Sequence, residues 1–146
     1  MKSVNRNKRH IRHLTIDTSA YEKLPLSGGR GKMVSTILAN SALITLDLRD
    51  GSIEDNGAQA LSEILKTNST LTSLDLETNS IGDHGAQALA VALKTNSTLT
   101  ALNLEDNSIG ENGAQALSEA LKTNSTCVIK DLDHILRLAP LSSTVV

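Results

Sequence analysis

The sequence predicts an α/β solenoid, a right-handed βα superhelix bent into an arc with a parallel sheet on its concave side and helices on its convex side. Two observations carry this. One unit is written three times without a gap, as LITLDLRDGSIEDNGAQALSEILKTNST (43–70), LTSLDLETNSIGDHGAQALAVALKTNST (71–98) and LTALNLEDNSIGENGAQALSEALKTNST (99–126). A fixed period of a few tens of residues marks stacked units, none of which buries its apolar face alone. The hydrophobic period also changes inside each unit, from that of a strand to that of a helix. One strand per unit, returned through a helix, forces the strands parallel and the crossover right-handed.

The chain begins with a basic arm. Residues 1–10, MKSVNRNKRH, are expected to be disordered. They contribute to an asymmetry that the net charge of -2 hides. Residues 1–32 hold eight Lys/Arg against Asp17 and Glu22, whereas residues 33–146 hold six against fourteen acids. Residues 11–42 are read as a degenerate amino-terminal repeat. Ile11, Leu14 and Ile16 reproduce the spacing of Leu43, Leu46 and Leu48, and Ile37, Leu38, Asn40 and Ser41 align with Leu65, Lys66, Asn68 and Ser69. Inside this segment, Ser27–Met33 (SGGRGKM) has the look of a phosphate-binding loop. Leu26 stands where the first glycine belongs, however, and Met33 where Ser or Thr must be, so it is a glycine-rich connector.

Residues 43–126 are the three full repeats. In each, L-x-x-L-x-L (Leu43, Leu46, Leu48 and their copies) supplies a strand with one buried face. Ala58, Leu61 and Leu65, copied as Ala86, Leu89, Leu93 and Ala114, Leu117, Leu121, fall on one helix face. Asp55, Asp83 and Glu111 sit at the helix starts, where negative charge is favoured. Lys66, Lys94 and Lys122 stand at the helix ends, and Asn68, Asn96 and Asn124 are expected to take the left-handed turn that closes each helix. The Asn-Ser-Thr triplets fit a glycosylation acceptor, but they recur because the repeat recurs and are read as turn residues. Residues 127–146 form a cap. Cys127 and Lys130 stand where leucines belong, so the register is expected to fail there. Val128, Ile129, Leu132, Ile135 and Leu136 keep helical spacing up to Pro140, which predicts a short capping helix and a tail.

The pattern L-x-x-L-x-L-x-x-N-x-I-x-x-x-G-A-x-x-L-x-x-x-L-x-x-N-x-T over Leu43–Thr126 resembles the ribonuclease-inhibitor-like subtype of leucine-rich repeat, and is similar to the repeats of NOD-like receptors. The departure is Gly51, where the family's turn asparagine stands as Asn79 and Asn107. In the family that asparagine satisfies backbone groups of the neighbouring turn, so the resemblance implies a looser loop in the first full repeat. It also implies a binding module rather than an enzyme. Two other readings follow from it. One is a regulator of a small GTPase, since a family of GTPase-activating proteins uses this repeat and Arg49 is the strand region's single arginine. The other is a fragment or paralogue of a NOD-like receptor sensor array without an effector domain.

Arc geometry turns the residues between the strand leucines toward the concave face: Thr45, Asp47, Arg49, Asp50; Ser73, Asp75, Glu77, Thr78; Ala101, Asn103, Glu105, Asp106. Of these, Asp47, Arg49, Asp50, Asp75, Glu77, Asn103, Glu105 and Asp106 are the candidate partner-binding residues. Six acids against one arginine suit a protein partner with a basic surface. With Tyr21 the single aromatic residue, the strip lacks the usual interface anchors, so binding is expected to be weak and salt-sensitive.

No arrangement of residues predicts catalysis, a cofactor or a metal site. His10 and His13 lie among arginines, Asn56 and Asn112 replace His84 in the other repeats, His134 lies in the cap, and Cys127 has no sequence partner. The arm lacks aromatics for stacking on bases, so nucleic acid is not an expected partner. No apolar run predicts membrane insertion. A single cysteine and a start without a signal-peptide pattern predict a reducing, cytoplasmic setting. Self-association through the exposed end strands of the solenoid is the remaining expected contact.

Overall fold

A computed structural model describes residues 12–15 and 42–138. Strands and helices alternate: β1 (His13–Thr15), β2 (Thr45–Asp47), α1 (Glu54–Leu65), β3 (Ser73–Asp75), α2 (Asp83–Leu93), β4 (Ala101–Asn103), α3 (Glu111–Leu121), β5 (Val128–Lys130) and α4 (Leu132–Leu138). The strands form one parallel sheet in chain order, with Leu14, Leu46, Leu74, Leu102 and Ile129 in register across it. The chain is therefore an α/β solenoid. The arm over 1–10 and the helical end expected before residue 42 lie outside the described residues.

The core lies between sheet and helices. The strand leucines Leu43, Leu46, Leu48, Leu71, Leu74, Leu76, Leu99, Leu102 and Leu104 are all at most 1% exposed. They meet Ala58, Leu61, Leu65, Ala86, Leu89, Leu93, Ala114 and Leu117 of the helices, so strand and helix periods converge on one apolar layer. Burying each leucine is worth about 1.5–3 kcal/mol, enough for a core without aromatics.

Three sets of polar side chains then bolt each repeat to its neighbour. Asn79 Oδ1 accepts from the Gly51 and Ile53 amides at 2.9 and 3.2 Å, and its Nδ2 donates to the Leu48 carbonyl at 2.9 Å. Asn107 repeats this onto the Asn79 and Ile81 amides and the Leu76 carbonyl. Each turn asparagine thus closes the loop of the unit before it. The loop expected to be loose in the first full repeat is held by Asn79, and Gly51 is buried. That expectation is corrected, because the contact runs backward along the stack.

The second set corrects another expectation. Asn68, Asn96 and Asn124 do not take left-handed backbone; among the described residues, the non-glycine ones that do are Asp50, Ser52, Glu54, Thr78, Ser80, Asp106 and Asp131. These asparagines act through their amides. Asn96 Oδ1 accepts from the Thr98 and Leu99 amides while its Nδ2 donates to the Leu65 carbonyl at 2.7 Å, capping the end of α1. Asn124 does the same for Leu93 at the end of α2, also at 2.7 Å. Asn96 and Asn124 are 5% and 8% exposed, which agrees with turn residues rather than glycan acceptors.

The third set is Asp55 and Asp83. Both lie in the first turn of their own helix, as the dipole argument places them. Their carboxylates, however, cap the next helix. Asp55 Oδ1 accepts from the Gly82 and Gly85 amides at 2.7 and 2.9 Å, and Asp83 Oδ1 from Gly110 and Gly113, both at 2.8 Å. Asp83→Ala strips both bonds from the start of α3 and is expected to cost about 1–2 kcal/mol in urea unfolding, with Asp83→Asn costing less. A loss for Asp83→Ala below a few tenths of a kcal/mol means that water replaces the carboxylate.

The carboxyl end also departs from expectation. Val128 and Ile129 do not begin a helix. The register survives with one residue deleted after Cys127, so that Ala101, Leu102 and Asn103 pair with Val128, Ile129 and Lys130. Cys127 fills the leucine slot, 7% exposed, and its amide bonds Asn124 Oδ1 as Leu99 bonds Asn96. The helix α4 follows after Asp131 alone (φ 73°) and seats Ile135, 3% exposed, over the end of the core.

Candidate functional site

The strands present two rows on the face away from the core. His13, Thr45, Ser73, Ala101 and Val128 form one, and Thr15, Asp47, Asp75, Asn103 and Lys130 the next. Neighbours within a row are about 4.8 Å apart, the strand spacing of a sheet. Each strand ends for a local reason. Asp47, Asp75 and Asn103 accept, through Oδ1, from the amides of Arg49, Glu77 and Glu105 at 3.0–3.1 Å, a turn that closes each strand. Backbone bonds to the next repeat continue from the Leu48 and Asp50 amides to the Asp75 and Glu77 carbonyls.

The same bonds fix the charged groups. Arg49 grips Asp47 with Nε at 3.1 and 3.2 Å and Nη2 at 2.8 Å, and its Nε lies 3.9 Å from Asp75 Oδ2. The guanidinium holds the Asp47 carboxyl below the usual carboxylate range. Asn103 Nδ2 donates to both Asp75 Oδ1 and Glu77 Oε2 at 3.1 Å, so a neutral amide bridges two carboxylates at the middle of the strip. Lys130 meets Glu105 at 2.6 Å, and that contact raises the pKa of its ammonium. Asp50 and Asp106 occupy the left-handed turn beyond the strand ends and are exposed.

The structure therefore gathers Asp47, Arg49, Asp75, Glu77, Asn103 and Glu105 into one strip of hydrogen bonds and ion pairs, with Asp50 and Asp106 on its rim. Lys130 is the member that sequence reading missed. Its signal was the one-residue deletion in CVIK, which sets Ile129 against Leu102 and Lys130 against Asn103. His13 also joins the face, with Nδ1 3.0 Å from Thr45 Oγ1.

Elsewhere, burial pushes the Cys127 thiol up to about 11, which keeps it protonated at neutral pH. It lines an open groove of ≈ 650 Å³ with Leu121, Val128, Ile129 and Leu132. Among the described residues no three His, Cys, Asp or Glu side chains are grouped to hold a metal ion, and no helix is long and apolar enough to cross a membrane.

The family model described as Leucine Rich repeat matches residues 39–62, 67–90 and 95–118, at the same interval as the sequence repeat. The chain is a leucine-rich repeat protein. Its three matched units carry the six carboxylates of the strip just described. Among solved structures, this leucine-rich repeat protein is similar to "Leiomodin-1 Actin-Binding Site 2 (ABS2)", with a TM-score of 0.70 and 25% sequence identity over 81% of this chain and 68% of that one. No curated protein matches it in sequence.

Proposed function

We propose that this leucine-rich repeat protein is a non-enzymatic interaction module that docks a partner with a basic surface onto its acidic concave sheet. We read its repeats as the ribonuclease-inhibitor-like subtype, similar to those of NOD-like receptors, working in the cytoplasm. One observation supports the docking reading above others. The strip sets six carboxylates (Asp47, Asp50, Asp75, Glu77, Glu105, Asp106) against two cations, Arg49 bonding Asp47 and lying 3.9 Å from Asp75, and Lys130 bonding Glu105. Carboxylates held in place before a partner arrives lose little freedom on binding, which favours charge-driven association.

The GTPase-regulator reading gains nothing from Arg49, whose guanidinium is engaged by Asp47 on its own chain. The likeness to an actin-binding site supplies one named candidate, so actin belongs in the first experiment. The full chain and the variant Asp47→Lys, Asp75→Lys, Glu105→Lys are compared by co-sedimentation with actin and by capture from cytosolic extract, each at low and moderate salt. Circular dichroism first verifies that both are folded. The reading expects a partner held by the unmodified chain at low salt, weakened by moderate salt and lost by the variant. Equal retention by both proteins overturns it.

A further inference from the structure

We propose that the chain's own basic segment, residues 1–12, is a competing ligand of the acidic concave sheet, so that a partner docks only by displacing it. This rests on the reading of that sheet as the docking surface. The segment holds Lys2, Arg6, Lys8, Arg9 and Arg12 and no acid, which makes it the most basic stretch of a chain whose remainder is acidic. It also ends at the right place. The Arg12 carbonyl accepts from the Ile44 and Thr45 amides at 2.7 and 2.9 Å, and the next residue, His13, already faces the strip beside Thr45.

Reach is ample. From β1 to β4 is three strand spacings, about 14 Å, whereas eleven residues span up to about 36 Å when extended. The convex side offers less, because Glu63 and Glu119 are already paired with Lys66 and Lys122 at 2.7 Å. The middle of the strip is less neutralised: Glu77 bonds the neutral Asn103 amide, and Asp75 shares that amide with one oxygen while Arg49 Nε stands 3.9 Å from the other. A tethered ligand acts at an effective concentration of order mM, so a weak contact within the chain whose Kd is about a quarter of that concentration lowers the apparent affinity for a basic partner about fivefold.

The test uses a fluorescent peptide with the sequence of residues 1–12. It is titrated into the full chain and into the full-length variant Lys2→Gln, Arg6→Gln, Lys8→Gln, Arg9→Gln, which leaves Arg12 and the β1 backbone contacts in place. The peptide is expected to bind the variant about fivefold more tightly than the unmodified chain, with the gap closing as salt rises. Adding Asp75→Lys and Glu105→Lys to the variant is expected to abolish the binding. Equal affinity for both proteins overturns the competition but leaves the docking surface standing. Binding to neither overturns the docking surface itself. A gap that grows with protein concentration places the segment on a second copy and overturns the arrangement within one chain.

Discussion

Asn79→Ala is expected to lower stability by about 3–4 kcal/mol, an effect out of proportion to one exchanged side chain. Asn79 is 0% exposed, and its amide serves the Gly51 and Ile53 amides and the Leu48 and Glu77 carbonyls. Alanine leaves two N–H and two C=O groups without that partner inside the stack, each worth about 1–3 kcal/mol before water recovers a share. For a domain of this size the midpoint of thermal unfolding falls by roughly 10–20 °C, read by circular dichroism. A loss under about 1 kcal/mol shows that the asparagine ladder is dispensable and that the leucine layer alone sets the register.

Gly85→Val is expected to be the next most damaging, at about 3 kcal/mol. A Cβ at Gly85 meets Asp55 Oδ1 and Ile81 Cγ2 at 2.7 Å and Ala58 Cβ at 3.0 Å. The valine therefore pushes α1 from α2 and breaks the Asp55 cap at the same point. Gly113 repeats the crowding against Asp83, Ile109 and Ala86, so Gly113→Val serves as a second copy of the experiment. If urea unfolding shows either valine to cost less than 1 kcal/mol, the helices separate easily and close packing is not what aligns the repeats.

Both predictions concern contacts between repeats, and these are what the sequence concealed. Leu46, Leu74 and Leu102, or Ala58, Leu61 and Leu65, announce their burial through spacing within one unit, and all are at most 1% exposed. Asn96 and Asp83 also recur, yet a period does not say toward which unit a side chain turns. Local chemistry pointed to a left-handed asparagine and to an aspartate serving its own helix. The structure instead links Asn96 to Leu65, 31 residues earlier, and Asp83 to Gly110, 27 residues later. Such bonds exist only once the stack has formed.

The acidic strip was legible for the same reason as the core, since strand alternation sorts Asp47, Asp75 and Asn103 away from the leucines. Its internal wiring was not. The grip of Arg49 on Asp47 and the Asn103 bridge between Asp75 and Glu77 depend on rotamers and on neighbouring strands. Lys130 escaped because a single deletion shifted it out of the repeat frame.

The central claim is that the position of the carboxylates, not the overall charge of the chain, selects the partner. The most direct measurement is the affinity of the captured partner for three full-length proteins. These are the unmodified chain, the concave variant Asp47→Lys, Asp75→Lys, Glu105→Lys, and a control with the same charge change on exposed helix residues, Glu63→Lys, Glu111→Lys, Glu119→Lys. The account predicts at least a tenfold loss, about 1.4 kcal/mol, for the concave variant and affinity close to the original for the control. Equal losses in both variants, or in neither, contradict it.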